Sequence, residues 1–154
     1  MTVVTAVAVL VGVLAVATVL GLVLRSRTGR AWSVRGTGAD TTNSSSSSNT
    51  AHGIAPAEAF GTRATLVQFS TPTCARCPGT RRQLDALAGQ HDGVARLEID
   101  VAERTEVASR YNVLQTPTVL LVDADRAVRT RFGGPPRPAE LSAALTAVLQ
   151  EAPA

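Results

Sequence analysis

Both cysteines of this 154-residue chain fall within seven residues, Thr73-Cys74-Ala75-Arg76-Cys77-Pro78-Gly79. Random placement would set two cysteines three apart only ~1–2% of the time, so the spacing carries information. A Cys-x-x-Cys pair serves either a zinc site or redox chemistry. Zinc takes four ligands, with a second Cys or His pair elsewhere. The chain has no third cysteine, and His52 and His91 are not paired at ligand spacing, so no metal site is expected. A redox dithiol needs only the two thiols, a strand in front and a helix behind. An inert disulfide closing so small a loop would add little stability.

The flanking sequence supplies that context. Residues 64–70, ATLVQFS, are a short apolar run with β character between Gly61 and Pro72, which predicts a buried strand. After the cysteines, residues 81–88 hold strong helix formers with Leu84, Leu87 and Ala88 on one face. Residues 94–101 alternate through Leu97, Ile99 and Val101 as a strand, and 103–111 read as a short helix with Val107, Ala108 and Tyr111 on one side. Pro117 opens a third apolar strand, TVLLVDAD. A turn at 124–126 leads to a strand over 127–132, with Val128, Thr130 and Phe132 on one face. Arg129 and Arg131 lie on the other, as suits an edge strand that must not aggregate. Pro138 starts a last helix that turns Leu141, Leu145, Val148 and Leu149 to the core. The order gives an α/β fold with a mixed central sheet: a βαβ unit, then a ββα unit, with helices on both faces.

In this setting the cysteines sit where a strand gives way to a helix. Free N–H groups of the first helical turn and the positive helix end favour thiolate at Cys74, while the Arg76 charge raises or lowers its reactivity according to where that side chain points. The more exposed Cys74 is then the attacking nucleophile, and Cys77 resolves the mixed disulfide by closing the intramolecular bond.

Over residues 60–150 the chain resembles the thioredoxin family. The resemblance rests on Phe69-Ser-Thr-Pro-Thr-Cys74-Ala-Arg-Cys77, on Thr116-Pro117-Thr followed by VLLVD, and on the order of elements. It implies a thioredoxin-like fold and a thiol–disulfide oxidoreductase that needs no cofactor beyond its own Cys74–Cys77 disulfide. It implies a cis bond before Pro117, a Thr116 backbone that pairs with an extended substrate, and a proline that keeps metals off the dithiol. The partners implied are protein disulfides and an electron donor such as a thioredoxin-reductase-like enzyme. The chain also departs from the pattern. Thr73 stands for the usual Trp, and Ala75-Arg76 for Gly-Pro, which gives Arg76 a place on the substrate-facing surface. The buried proton-transferring Asp of the family aligns with Gln68, an amide that cannot accept and return a proton as a carboxylate does. Arg96 stands near a common Lys, so the proton-relay position falls to Gln68 and Arg96.

Residues 2–24 carry no charge, and roughly 20 apolar residues span a bilayer core. The run ends in Arg25, Arg27 and Arg30, which predicts an uncleaved transmembrane helix rather than a signal peptide. Basic flanks stay cytoplasmic, so the expectation is a single-pass cell-membrane protein with its N-terminus outside and its folded part on the cytoplasmic side. Membrane lipid would then be a partner of the arginines. Residues 25–53, ending in a polar stretch with five consecutive serines, read as a basic juxtamembrane segment and flexible linker, and 54–154 as the folded domain. All 15 basic residues are arginine. Four of them against one aspartate give residues 25–52 a net +3, while residues 53–154 balance 11 arginines with 11 acids. The folded part therefore has no net basic charge, which excludes a nucleic-acid-binding domain. Arginine-only, alanine- and valine-rich usage points to a bacterium of high GC content. The expected function is a membrane-tethered thiol–disulfide oxidoreductase. Two alternatives are a non-catalytic binding or redox-sensing module, and an envelope-facing reductant of exported dithiols such as apocytochrome c.

Overall fold

The computed structural model describes residues 2–27, 31–33 and 50–151; of the first two segments, side chains are described only over 7–22. Helix α1 spans Thr2–Arg27 and strand β1 spans Ala31–Ser33. A short 3-10 turn covers Ala57–Ala59. There follow β2 (Ala64–Ser70), α2 (Cys77–Ala88), β3 (Val94–Asp100), α3 (Thr105–Arg110), β4 (Thr118–Asp123), β5 (Val128–Gly133) and α4 (Pro138–Glu151).

The expected membrane placement is overturned. Residues Thr2–Arg27 do form a helix. Among the described residues, however, no helix is long and apolar enough to cross a membrane. Over residues 7–22, where its side chains are described, this helix is exposed throughout. The single-pass topology and the cytoplasmic assignment fall with it. Of the expected linker, residues 28–30 and 34–49, including the serine run, lie outside the described residues, whereas 31–33 form β1.

The sheet runs β1-β5-β4-β2-β3. Strand β2 pairs parallel with β3 and antiparallel with β4, and β4 pairs antiparallel with β5. The parallel pair needs the α2 crossover, and the antiparallel pair β4–β5 needs only a tight turn. Asp123 closes that turn, its carboxylate accepting the Ala127 N–H at 2.8 Å. Strand β2 is buried at every position because the sheet is covered on both faces there. Ala64 and Leu66 pack with Leu84, Leu87 and the α4 residues Leu141 and Leu145. Val67 and Phe69 pack on the other face with Ile99, Val107 and Tyr111. Each buried Val, Leu, Ile or Phe among them contributes about 1.5–3 kcal/mol.

Two expectations for β5 need correction. It is not an edge strand, because β1 pairs with it antiparallel, Trp32 opposite Arg131. Nor do its buried residues share a face: the register shifts between Leu121 and Val122, a β-bulge. Phe132 joins the α2–α4 core while Val128 joins the opposite one. The arginines of β5 have structural partners. Arg129 reaches Asp123 and Glu151. Arg131 donates to the Tyr111 and Asn112 carbonyls, tying down the end of α3.

Packing begins ahead of residue 54. Ala51 and Ile54 are buried, Thr50 bridges to Ala127, and the Tyr111 hydroxyl donates to the carbonyls of Thr50 and His52. Gly61 permits a close approach of strands: a Cβ there would meet Ala64 O at 2.3 Å and Gly93 O at 2.5 Å.

Candidate active site

Strand β2 delivers the chain to the dithiol. Beyond Ser70, a turn closed by the Cys74 N–H on Thr71 O carries the chain to α2, which starts at Cys77. Pro78 fits this first turn because the N–H it lacks would have no intrahelical partner. Cys74 and Cys77 form a disulfide with their Cα atoms 5.4 Å apart. The two differ in access: Cys74 is half-buried, whereas Cys77 is 4% exposed. Thr73 and Arg76 are exposed. The Cys77 N–H is taken by Cys74 O at 3.2 Å. Of the N–H groups expected to point at Cys74, Gly79 N–H is thus the first in α2 without a backbone partner among the described residues.

The Thr116–Pro117 peptide is cis, as the resemblance implies. Pro117 is buried, and its carbonyl accepts Gly134 N–H at 2.9 Å, which anchors the loop to the sheet. The hydroxyls of Thr71 and Thr116 lie 3.5 Å apart, so the dithiol loop and the proline loop are neighbours. Among the described residues, neither the N–H nor the C=O of Thr116 has a backbone partner.

Gln68 lies directly behind the dithiol. It is fully buried, and its Nε2 donates to Cys77 O at 3.1 Å. Its Oε1 is buried with no hydrogen-bond partner. Arg96 is not brought to it: Arg96 pairs with Asp85 and, at 3.1 Å, with Glu98. The register places Glu98 beside Gln68.

Glu98 is the residue the sequence reading missed. Its carboxylate accepts from Arg81 at 2.6 Å, Ser70 Oγ at 2.8 Å and Arg96 at 3.1 Å. A cavity of about 410 Å³ opens between it and the cysteines, lined also by Arg81, Asp100 and Glu103. The signal was present in the polar phase of β3, where Arg96, Glu98 and Asp100 alternate with the apolar residues. Burial pushes the Glu98 carboxyl up, but the hydrogen bonds from Arg81, Ser70 and Arg96 outweigh it and hold the group below its ordinary value of 4.5. A depressed folded-state pKa contributes stability that is complete above the unfolded value and is lost as pH falls through the folded one. Arg81 is half exposed, which keeps the pair's contribution small. Glu98→Gln is therefore expected to cost about 1 kcal/mol at pH 7. Urea titrations should show the gap between the two proteins closing below pH 4.5.

Among the described residues no group of three or more His, Cys, Asp or Glu is placed to hold a metal ion. A sheet strand that hands a half-buried and a buried cysteine to the start of a helix, beside a cis-proline loop, defines a thiol–disulfide oxidoreductase. Its redox group is the protein's own cysteine pair. The family model described as Thioredoxin matches residues 57–147, more than half of the chain, and the chain belongs to the thioredoxin family. Thioredoxin from Fasciola hepatica is 28% identical, with a TM-score of 0.50 over 58% of this chain and 84% of that one. A mutant thioredoxin from Halobacterium salinarum is 25% identical, with a TM-score of 0.52 over 59% of this chain and 79% of that one. No curated protein matches the chain.

Proposed function

We propose that the chain reduces protein disulfides, with Cys74 as the attacking thiolate and Cys77 as the resolving thiol. The observation that carries this reading is the unequal access of the two residues that line the cavity, Cys74 half-buried and Cys77 4% exposed. Cys74 Sγ bonds to one substrate sulfur, and the other leaves as a thiolate and takes a proton from water. Cys77 then loses its proton and attacks Cys74 Sγ, releasing the second substrate sulfur. Two electrons pass to the substrate and the chain is left with the disulfide seen here. A dithiol donor, such as a thioredoxin-reductase-like enzyme, restores the thiols.

An extended substrate segment pairs with the free N–H and C=O of Thr116 and lies over Pro117. Arg76, exposed between the cysteines, meets the same segment. Gln68 and Arg96 do not form a proton relay in this reading, because Arg96 is committed to Asp85 and Glu98. The unit that performs the exchange includes residues ahead of 54, since Ala51 belongs to its core and β1 pairs with β5.

Trapping separates the two thiols. Reduced Cys77→Ser protein mixed with a peptide disulfide should accumulate an adduct on Cys74 that intact-mass spectrometry resolves. Formation of the adduct on Cys77 of Cys74→Ser protein at a comparable rate would show that the roles are wrongly assigned.

A further inference from the structure

Gln68 holds the one polar side-chain atom that is buried without a hydrogen-bond partner among the described residues. The orientation of its amide is fixed by chemistry. The Cys77 carbonyl can only accept, so Nε2 must face it, at 3.1 Å, and Oε1 is the atom left over. An orphaned buried acceptor is costly, and an apolar side chain of similar size would avoid that cost. The disulfide form therefore carries a defect at the layer behind Cys77. Reduction changes the inventory of donors in that layer. Two electrons and two protons from a dithiol reductant convert the Cys74–Cys77 bond to two sulfhydryls, while the reductant closes to its own disulfide. Cys74 is half-buried and can turn to water. Cys77, 4% exposed and joined to Gln68 through its carbonyl, gains an S–H that is almost wholly shielded from solvent.

We infer that Gln68 is a redox-linked positioning residue: its Oε1 accepts the Cys77 S–H in the reduced protein and has no such partner in the oxidised one. The amide thus favours the dithiol over the disulfide and fixes the direction of the resolving thiol. Gln68 holds this place without exchanging a proton, so its contribution is to the equilibrium between the two forms rather than to proton transfer. This inference rests on the dithiol reading above. It is tested by equilibrium and spectroscopic measurements that need no turnover, so its failure is distinguishable from failure of that reading.

Gln68→Met removes the donor and the acceptor at similar volume. Full-length wild-type and variant chains are equilibrated with glutathione buffers, and the thiol fraction is read by alkylation and mass. The variant is expected to shift about tenfold toward the disulfide, a potential about 30 mV more negative. Infrared spectroscopy then isolates the Cys77 thiol in reduced Cys74→Ser protein. Its S–H stretch should lie at the lower frequency of a hydrogen-bonded thiol, and should move to the free-thiol position when Gln68→Met is added. An unchanged equilibrium in the variant overturns the inference. So does a free-thiol frequency with Gln68 intact, a result that holds whether or not Gln68→Met folds.

Discussion

Cys74→Ser is expected to bring insulin-disulfide reduction by the full chain down to the uncatalysed rate, a loss on the order of a thousandfold or more. A serine hydroxyl at this position is neither ionised at neutral pH nor able to form a bond to sulfur that a second thiol can reverse. Cys77→Ser is expected to halt turnover as completely, but by a different route. The first exchange still proceeds and the protein stalls as a mixed disulfide, because the residue that would close the ring has no thiol. Stopped-flow alkylation should therefore show one fast reactive thiol in Cys77→Ser and a slow one in Cys74→Ser. The difference follows from access, since Cys77 is 4% exposed while Cys74 is half-buried. It follows also from position. Cys74 precedes the first residue of the 12-residue helix α2, where the helix end carries partial positive charge. Comparable single-turnover rates in the two variants would contradict the assignment.

The elements that position this chemistry were legible because burial leaves a local trace. Residues 64–70 read as a continuous apolar run because β2 is covered on both faces, and the strand has those bounds. The last helix was marked by Pro138 and the spacing of Leu141, Leu145, Val148 and Leu149, all of which are buried. What could not be read depends on distant pairing. The three residues of β1 carry no strand signal of their own and are a strand only through β5. The bulge that sends Val128 and Phe132 to opposite cores is a property of the β4–β5 register, not of either sequence. At the site, Gln68 stood out as a departure from a family pattern, yet its partner, the carbonyl of Cys77, follows only from the packing of β2 under α2. Arg96 was placed by the same alignment and turned out to be held by Asp85 and Glu98. The N-terminal run shows the limit of composition. Its apolar character was plain, but among the described residues it does not amount to a membrane-crossing helix.

The largest effect on stability is expected one position after Gln68. Phe69 points to the opposite face of β2, is fully buried, and packs in the core that includes Ile99, Val107, Leu120 and Tyr111. Its ring centroid lies 6.1 Å from that of Tyr111 in a tilted arrangement. Tyr111 in turn holds the carbonyls of Thr50 and His52 through its hydroxyl. Phe69→Ala should cost about 3–5 kcal/mol, the transfer term of the ring plus the cavity left behind. For a domain whose total stability is about 5–15 kcal/mol, that is a large share, and the urea midpoint should fall accordingly. Phe69→Leu keeps most of the volume and should lose less than half as much. The same substitutions provide a control for the redox site. Phe69 and Gln68 are adjacent in sequence but face opposite layers, because side chains alternate across a strand. Phe69→Leu should then leave the thiol–disulfide equilibrium with glutathione unchanged, whereas Gln68→Met shifts it. A shift in both would mean that the equilibrium follows the stability of the whole sheet and not the amide behind Cys77.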